Sequence, residues 1–298
     1  MAVQVDERQS NRVWGGAKHA LAIRTMVILV WLIIVTTTPY QTFGHLPAEF
    51  FEPKGVGHIL RWSHSVWLAL TTTVGLTVLK WSAVACGLVA LLSPRASRVA
   101  LPAFCTLVVC LDAIVKAAAG FPNHAQLAPL LILLVVSIAA DPTDPSGSAI
   151  ATGPQSNVVW LSSCCLVIPY TFIGVNRLVV GGLSYFQGDA LFTYLSGVSR
   201  GLSTYPFQFS PVHVMPVLNV GFALMTLLEA SALSLLLLPA VRKWWLVAMT
   251  LCQVMIVFLM NISFWENIVL LWTVFSPVWT RPQDNAAAGP LPGASELR

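Results

Sequence analysis

Several ionisable residues stand inside stretches of this 298-residue chain that are otherwise apolar. Glu229 lies in "GFALMTLLEASALSLLLL" with no cation near it in sequence. An isolated carboxylate is expensive to bury, so a carboxyl group in such a stretch favours its neutral form. A neutral acid in a dry setting can donate a proton, which makes Glu229 the first candidate for chemistry. Asp112 and Lys116 are four residues apart in "VVCLDAIVKAAAG". On a helix they face the same way, either neutralising each other for insertion or forming a pocket acid with a tuning amine. His124 follows Asn123, a candidate N-cap, in "GFPNHAQLAPLL", where it faces headgroups or a pocket. His64 and His213 are weaker candidates. Asn219 shares a stretch with Glu229, and Gln253, Asn261, Glu266 and Asn267 continue the polar set near the C-terminus. Arg177, in "YTFIGVNRLVVGG", would cost roughly 2.5–3.5 kcal/mol at the centre of a spanning helix and so calls for a role.

These groups need a membrane scaffold. The chain is 56% hydrophobic and 9% charged, far below the ~25% charge of soluble domains. Apolar stretches near the ~20 residues of a spanning helix occur at about 25–43, 74–93, 99–119, 123–140, 157–180, 214–240 and 244–261. A shorter eighth, "FWENIVLLWTVF" at 264–275, either continues the seventh or folds back. The expected fold is all-α, a polytopic bundle of seven or eight transmembrane helices with re-entrant or interfacial segments. It divides into an N-terminal segment 1–24, a helical domain 25–276 and a tail 277–298 of disordered composition. The first apolar run leads into "TTTPYQTF", with no small-residue cleavage site, and is expected to be an uncleaved span.

With the N-terminus cytoplasmic, Arg95, Arg98, Arg242, Lys243 and Arg281 fall on that side, leaving Lys54, Arg61 and Arg200 opposite. An even span count then places the C-terminus in the cytoplasm too, and a plasma membrane is the expected location. Residues 44–65 and 183–213 are too polar to span and are expected to roof a site on the other face. The six cysteines all lie in apolar stretches, without a C-x-x-C pair, and read as buried thiols rather than disulfides or metal ligands. No metal site is expected, and no basic run suggests nucleic acid. Some of the eleven tryptophans, such as Trp244, Trp245 and Trp279, suit interfacial belts, and other aromatics could line a cavity.

"YTFIGVNRL" at 170–178 resembles the Y-F-I-A-G-x-x-K-L stretch of the vitamin K-dependent γ-carboxylases and their bacterial relatives with a horizontally transferred transmembrane domain. Tyr170, Gly174 and Leu178 fall on that pattern, and Asn123–His124 resembles a second family feature. The resemblance implies a quinone-isoprenoid pocket and a histidine, here His124, that assists oxygenation of a reduced quinone. Two departures bear on it. The family's adjacent lysines, the second of them its base, are Asn176 and Arg177 here, and a guanidinium is not a general base. The chain also has no room for the lumenal domain that binds a protein substrate in the carboxylases. Arg177 is thus expected to act as a fixed cation, to pair with Asp189 or Glu229, or to snorkel to the interface.

Three functions are compatible with these residues. The first is a membrane-embedded, terpene cyclase-like enzyme acting on a lipophilic isoprenoid, since bacterial proteins resembling this family are recruited to terpenoid pathways. Glu229 or Asp112 would protonate an alkene or epoxide, with His124 the third catalytic candidate. Arg177, Tyr170, Lys116, Asp189 and Asn219 would bind substrate, and no cofactor would be needed. The absence of a D-D-x-x-D motif favours protonation over metal-assisted diphosphate loss, because "DPTD" at 141–144 is broken by proline and reads as a turn. The second is a quinol-dependent epoxidase or carboxylase with a reduced quinone as cofactor and Lys116 as replacement base. The third is a non-enzymatic maturation or immunity scaffold.

Overall fold

A computed structural model describes residues 17–52, 57–60, 63–119, 126–139, 152–182, 186, 215–260 and 264–276. Among these, secondary structure is helical throughout, with no strand. The principal helices are α1 (Ala17–Thr37), α2 (Thr73–Leu92), α3 (Ser97–Ala119), α4 (Leu127–Ile138), α5 (Thr152–Asn176), α6 (Met215–Ala230), α7 (Arg242–Met260) and α8 (Trp265–Phe275). Six segments are long and apolar enough to cross a membrane: 18–37, 73–92, 97–118, 157–181, 215–237 and 239–257. The chain is therefore an all-α, multi-pass membrane bundle, with α4 and α8 as shorter apolar helices.

α1 and α5 form the axis. α1 packs against α2, α4, α5 and α8, and α5 against α1, α4, α6 and α8. Ile23, Val27, Ile28, Trp31, Ile34 and Val35 bury most of α1. The outer faces stay apolar, with Val74, Val78, Trp81, Val99, Val217, Val220 and Leu224 exposed. A helix apolar on both its packed and its exposed face is suited to lipid rather than water. Without a hydrophobic drive between helices in lipid, close packing and interhelical hydrogen bonds hold such a bundle together.

The boundaries depart from the sequence expectation in two places. The first helix begins at Ala17, eight residues before the expected span, because Arg24 is satisfied inside the bundle. Its guanidinium donates to the Ala90 carbonyl at 3.2 Å and to Ser97 Oγ, tying α1 to the α2–α3 turn. The expected span 123–140 is a helix only over Leu127–Ile138 among the described residues. The segment 264–275 folds back on α7: Trp272 Nε1 donates to Thr250 Oγ1 at 2.9 Å, and Arg242, at the start of α7, lies 5.9 Å over the Phe275 ring, at the end of α8. Of the two expected roofing segments, 44–65 contains the short helix Gly57–Leu60, which contacts α3, and the first two residues of the helix His64–Thr71. Segment 183–213 lies outside the described residues except for Phe186, and so does the tail 277–298.

Lys80, a lone cation in the middle of α2, escaped the sequence reading. It is buried, and its Nζ donates to the carbonyls of Thr36 at 2.9 Å and Thr38 at 3.1 Å. Those carbonyls belong to the end of α1, where helical acceptors have no intrahelical donor and a cation is favoured. The signal was present: one lysine in twenty apolar residues, and a preceding span that ends at Thr-Pro. Lys80→Met is expected to lower stability by about 2–3 kcal/mol, measured as a shift in detergent-phase thermal unfolding, because charge-assisted bonds to buried acceptors are lost.

Candidate functional site

The face of α5 carrying Tyr170, Gly174 and Arg177 follows the i, i+4, i+7 spacing of one helical stripe. Gly174 has the α6 backbone directly against it: a Cβ there would sit 2.7 Å from Ala230 Cα and 2.8 Å from the Glu229 carbonyl carbon. Only glycine permits this approach. One turn farther along, α5 widens into a π turn at Arg177–Gly181, which ends on Gly182 in the left-handed region at φ 56°. Such π turns recur at functional sites. On the other side, α6 tightens into a 3-10 turn at Ser231–Leu233, immediately after Glu229 and Ala230. Both charged residues therefore sit where their helices change winding.

Arg177 Nη1 donates to Glu229 Oε2 at 2.5 Å, the first an interhelical cation 27% exposed and the second a carboxylate 7% exposed. The guanidinium also lies 5.4 Å over the Phe222 ring, a favourable cation–π position. Of the roles expected for Arg177, the structure shows the pairing with Glu229, which has no cation near it in sequence. Its partner is 52 residues away in sequence and is brought to it by the Gly174 crossing. Tyr170 is buried, edge-on to Trp245 at 6.2 Å, and within electrostatic reach of both Glu229 and Glu266. Trp245 Nε1 donates to the Leu228 carbonyl at 3.0 Å and to Ser231 Oγ at 3.3 Å, fixing α7 against the same turn. Glu266 opens α8, is buried, and has no ion-pair partner among the described residues.

Asn219 shares a face of α6 with Phe222, Thr226 and Glu229, at i+3, i+7 and i+10. Its Oδ1 is buried without a hydrogen-bond partner. Arg177, Glu229 and Tyr170 thus share the α5–α6 interface, with Trp245 and Glu266 added from α7 and α8, and Asn219 lies on the Glu229 face of α6.

Asp112 and Lys116 form a different centre. They pair with each other at 2.6 Å on α3. Their neighbour is Tyr40, whose ring lies 5.9 Å beneath Lys80 Nζ. Tyr40 lies outside the spans. Burial pushes its phenol up to about 12, a hydrogen bond with Thr38 opposes this, and the Asp112 charge adds to it. The folded state therefore holds the proton more tightly than the unfolded chain, whose phenol titrates near 10. Stability from this group is fully present below pH ~10 and is lost as pH rises through about 12, by on the order of 2 kcal/mol. In denaturation followed from pH 9 to 12, Tyr40→Phe should remove that part of the alkaline loss.

His124 and Asp189 lie outside the described residues. No group of three or more histidines, cysteines or acids that could hold a metal occurs among the described residues. Comparison with family models, with curated proteins and with solved structures finds no match.

Proposed function

We propose that this membrane protein is an enzyme that cyclises an isoprenoid amphiphile within the bilayer, with the Arg177–Glu229 pair as its reactive centre. The observation that carries this reading is an ion pair at the α5–α6 crossing, with the Phe222 ring against its guanidinium and the edge-on Tyr170–Trp245 pair packed on the same helices. Substrate entry at the crossing parts Glu229 from Arg177, which stays as a fixed cation beside the reacting chain. Released, the carboxyl group takes up a proton and delivers it to a terminal alkene carbon, or to an epoxide oxygen as its C–O bond opens. A neighbouring alkene attacks the resulting cation, forming a ring bond. The aromatic faces stabilise the positive charge while it moves. Loss of a proton from the last cation back to the Glu229 carboxylate restores the neutral acid, which gives up its proton as the pair with Arg177 re-forms, so the reaction is an isomerisation needing no added cofactor. The proposed location is a bacterial plasma membrane, with both termini cytoplasmic.

The test uses membranes containing the full chain, supplied with prenylated substrates with and without a terminal epoxide, and mass spectrometry of the extract. The expected product has unchanged mass and a new retention time, and disappears in Glu229→Gln. A mass gain of one oxygen or one carboxyl group, only when a quinol is added, would replace this reading with the redox one. Asp112→Asn should retain conversion within about threefold, since its centre lies apart from the Arg177–Glu229 pair. Loss of conversion there with the fold intact would move the reactive centre to α3.

A further inference from the structure

Gln253 is a polar group that the reaction above does not use. It lies on the buried face of α7, at i+4 from Met249 and i+8 from Trp245, and is 4% exposed. Among the described residues its Oε1 has no hydrogen-bond partner, and its Nε2 has only a 3.7 Å contact with the Met249 sulfur. An amide buried in this state carries the desolvation penalty of its polar atoms with little return. Natural interiors seldom tolerate that without a ligand or bound molecule to complete the group. Its helix packs against the α5–α6 contact that carries Glu229. Cys252, next in sequence, lies within electrostatic reach of Glu229, and Trp245 on the same face touches Tyr170 and the Leu228 carbonyl. Asn219 presents a second unpartnered amide oxygen from the Glu229 face of α6.

We propose that the buried side of α7 at Gln253, where α7 packs with α5 and α6, is a head-group site for a hydroxyl-bearing amphiphile, with the hydroxyl held by Gln253. A hydroxyl both donates and accepts, so it completes the amide in either orientation of its O and N atoms. The inference rests on the proposed cyclase reading for its ligand class, an isoprenoid alcohol.

The test uses the full chain in lipid nanodiscs, with binding followed by tryptophan fluorescence and by the thermal midpoint. The probes are geranylgeraniol, its methyl ether, and a hydrocarbon of the same length. Geranylgeraniol should bind roughly tenfold more tightly than the ether, the difference of one hydrogen bond. Gln253→Leu should abolish that preference. It should also raise the thermal midpoint of the ligand-free protein, because an unsatisfied buried amide is replaced by an apolar group of similar size. A lowered midpoint would assign Gln253 a structural role and overturn the inference. Equal binding of alcohol and ether, no alcohol binding at all, or an alcohol preference that persists in Gln253→Leu would overturn it as well. Alcohol-selective binding with no conversion of any substrate would leave the head-group site standing and sink the cyclase reading instead.

Discussion

Arg177→Leu should abolish product formation and lower stability by about 3 kcal/mol, while the double variant Arg177→Leu/Glu229→Leu regains most of the stability and none of the activity. Removing one partner of a buried pair leaves the other charge uncompensated, which costs roughly 3–5 kcal/mol. The low end applies because the Arg177 side chain keeps 27% of its surface exposed. Removing both partners leaves an apolar α5–α6 contact, and replacement of a buried pair by hydrophobic residues is often neutral or better. The cycle separates two roles that single variants confuse. Thermal unfolding of purified protein reads the structural part, and the cyclisation assay reads the chemical part. A double variant that stays active would show that the pair only holds the helices together.

The second large effect is expected at Gly174. Gly174→Val puts three carbons where the Ala230 backbone lies, and neither helix has a flexible side-chain end to move aside. Overpacking typically costs 1–3 kcal/mol. Here the loss should reach the upper end, because spreading the two helices also stretches the Arg177–Glu229 contact. Gly221 provides the control. A Cβ there meets nothing within 4 Å, so Gly221→Ala should be neutral or stabilising by up to about 1 kcal/mol. Thermal midpoints of the two variants, measured side by side, check both statements. A Gly174→Val protein as stable as its parent would refute the close-crossing account.

Hydropathy made the bundle legible, because twenty apolar residues in a row leave few alternatives in a bilayer. The Asp112–Lys116 pair was legible for a similar reason: both partners sit on one helix, and spacing alone predicts their contact. Arg177 with Glu229 was written only as one of several options. An interhelical pair depends on which helices cross and at what height, and hydropathy carries no such information. The clue lay in the small residue at Gly174 one turn before the arginine. Its meaning needs the α6 backbone to be placed against it. Lys80 went unread because its partners are main-chain carbonyls, which have no signature in residue type. Gln253 was seen only as one more polar residue, since an unfilled hydrogen bond is a property of packing. The motif at 170–178 coincides with the stripe that makes the α5–α6 contact.

The 52-residue separation of Arg177 and Glu229 also has a consequence in time. At about 5–20 residues per second, a ribosome needs about 3–10 s to reach Glu229 after completing Arg177. During that interval α5 must be held with an unmatched guanidinium, a burden of roughly 2.5–3.5 kcal/mol if it lies at mid-membrane. α3 meets no such delay, because Asp112 and Lys116 emerge within a single turn of each other. Of the two ion pairs among the described residues, the Arg177–Glu229 pair is thus the one whose first helix waits for its counter-charge during synthesis, until α6 arrives.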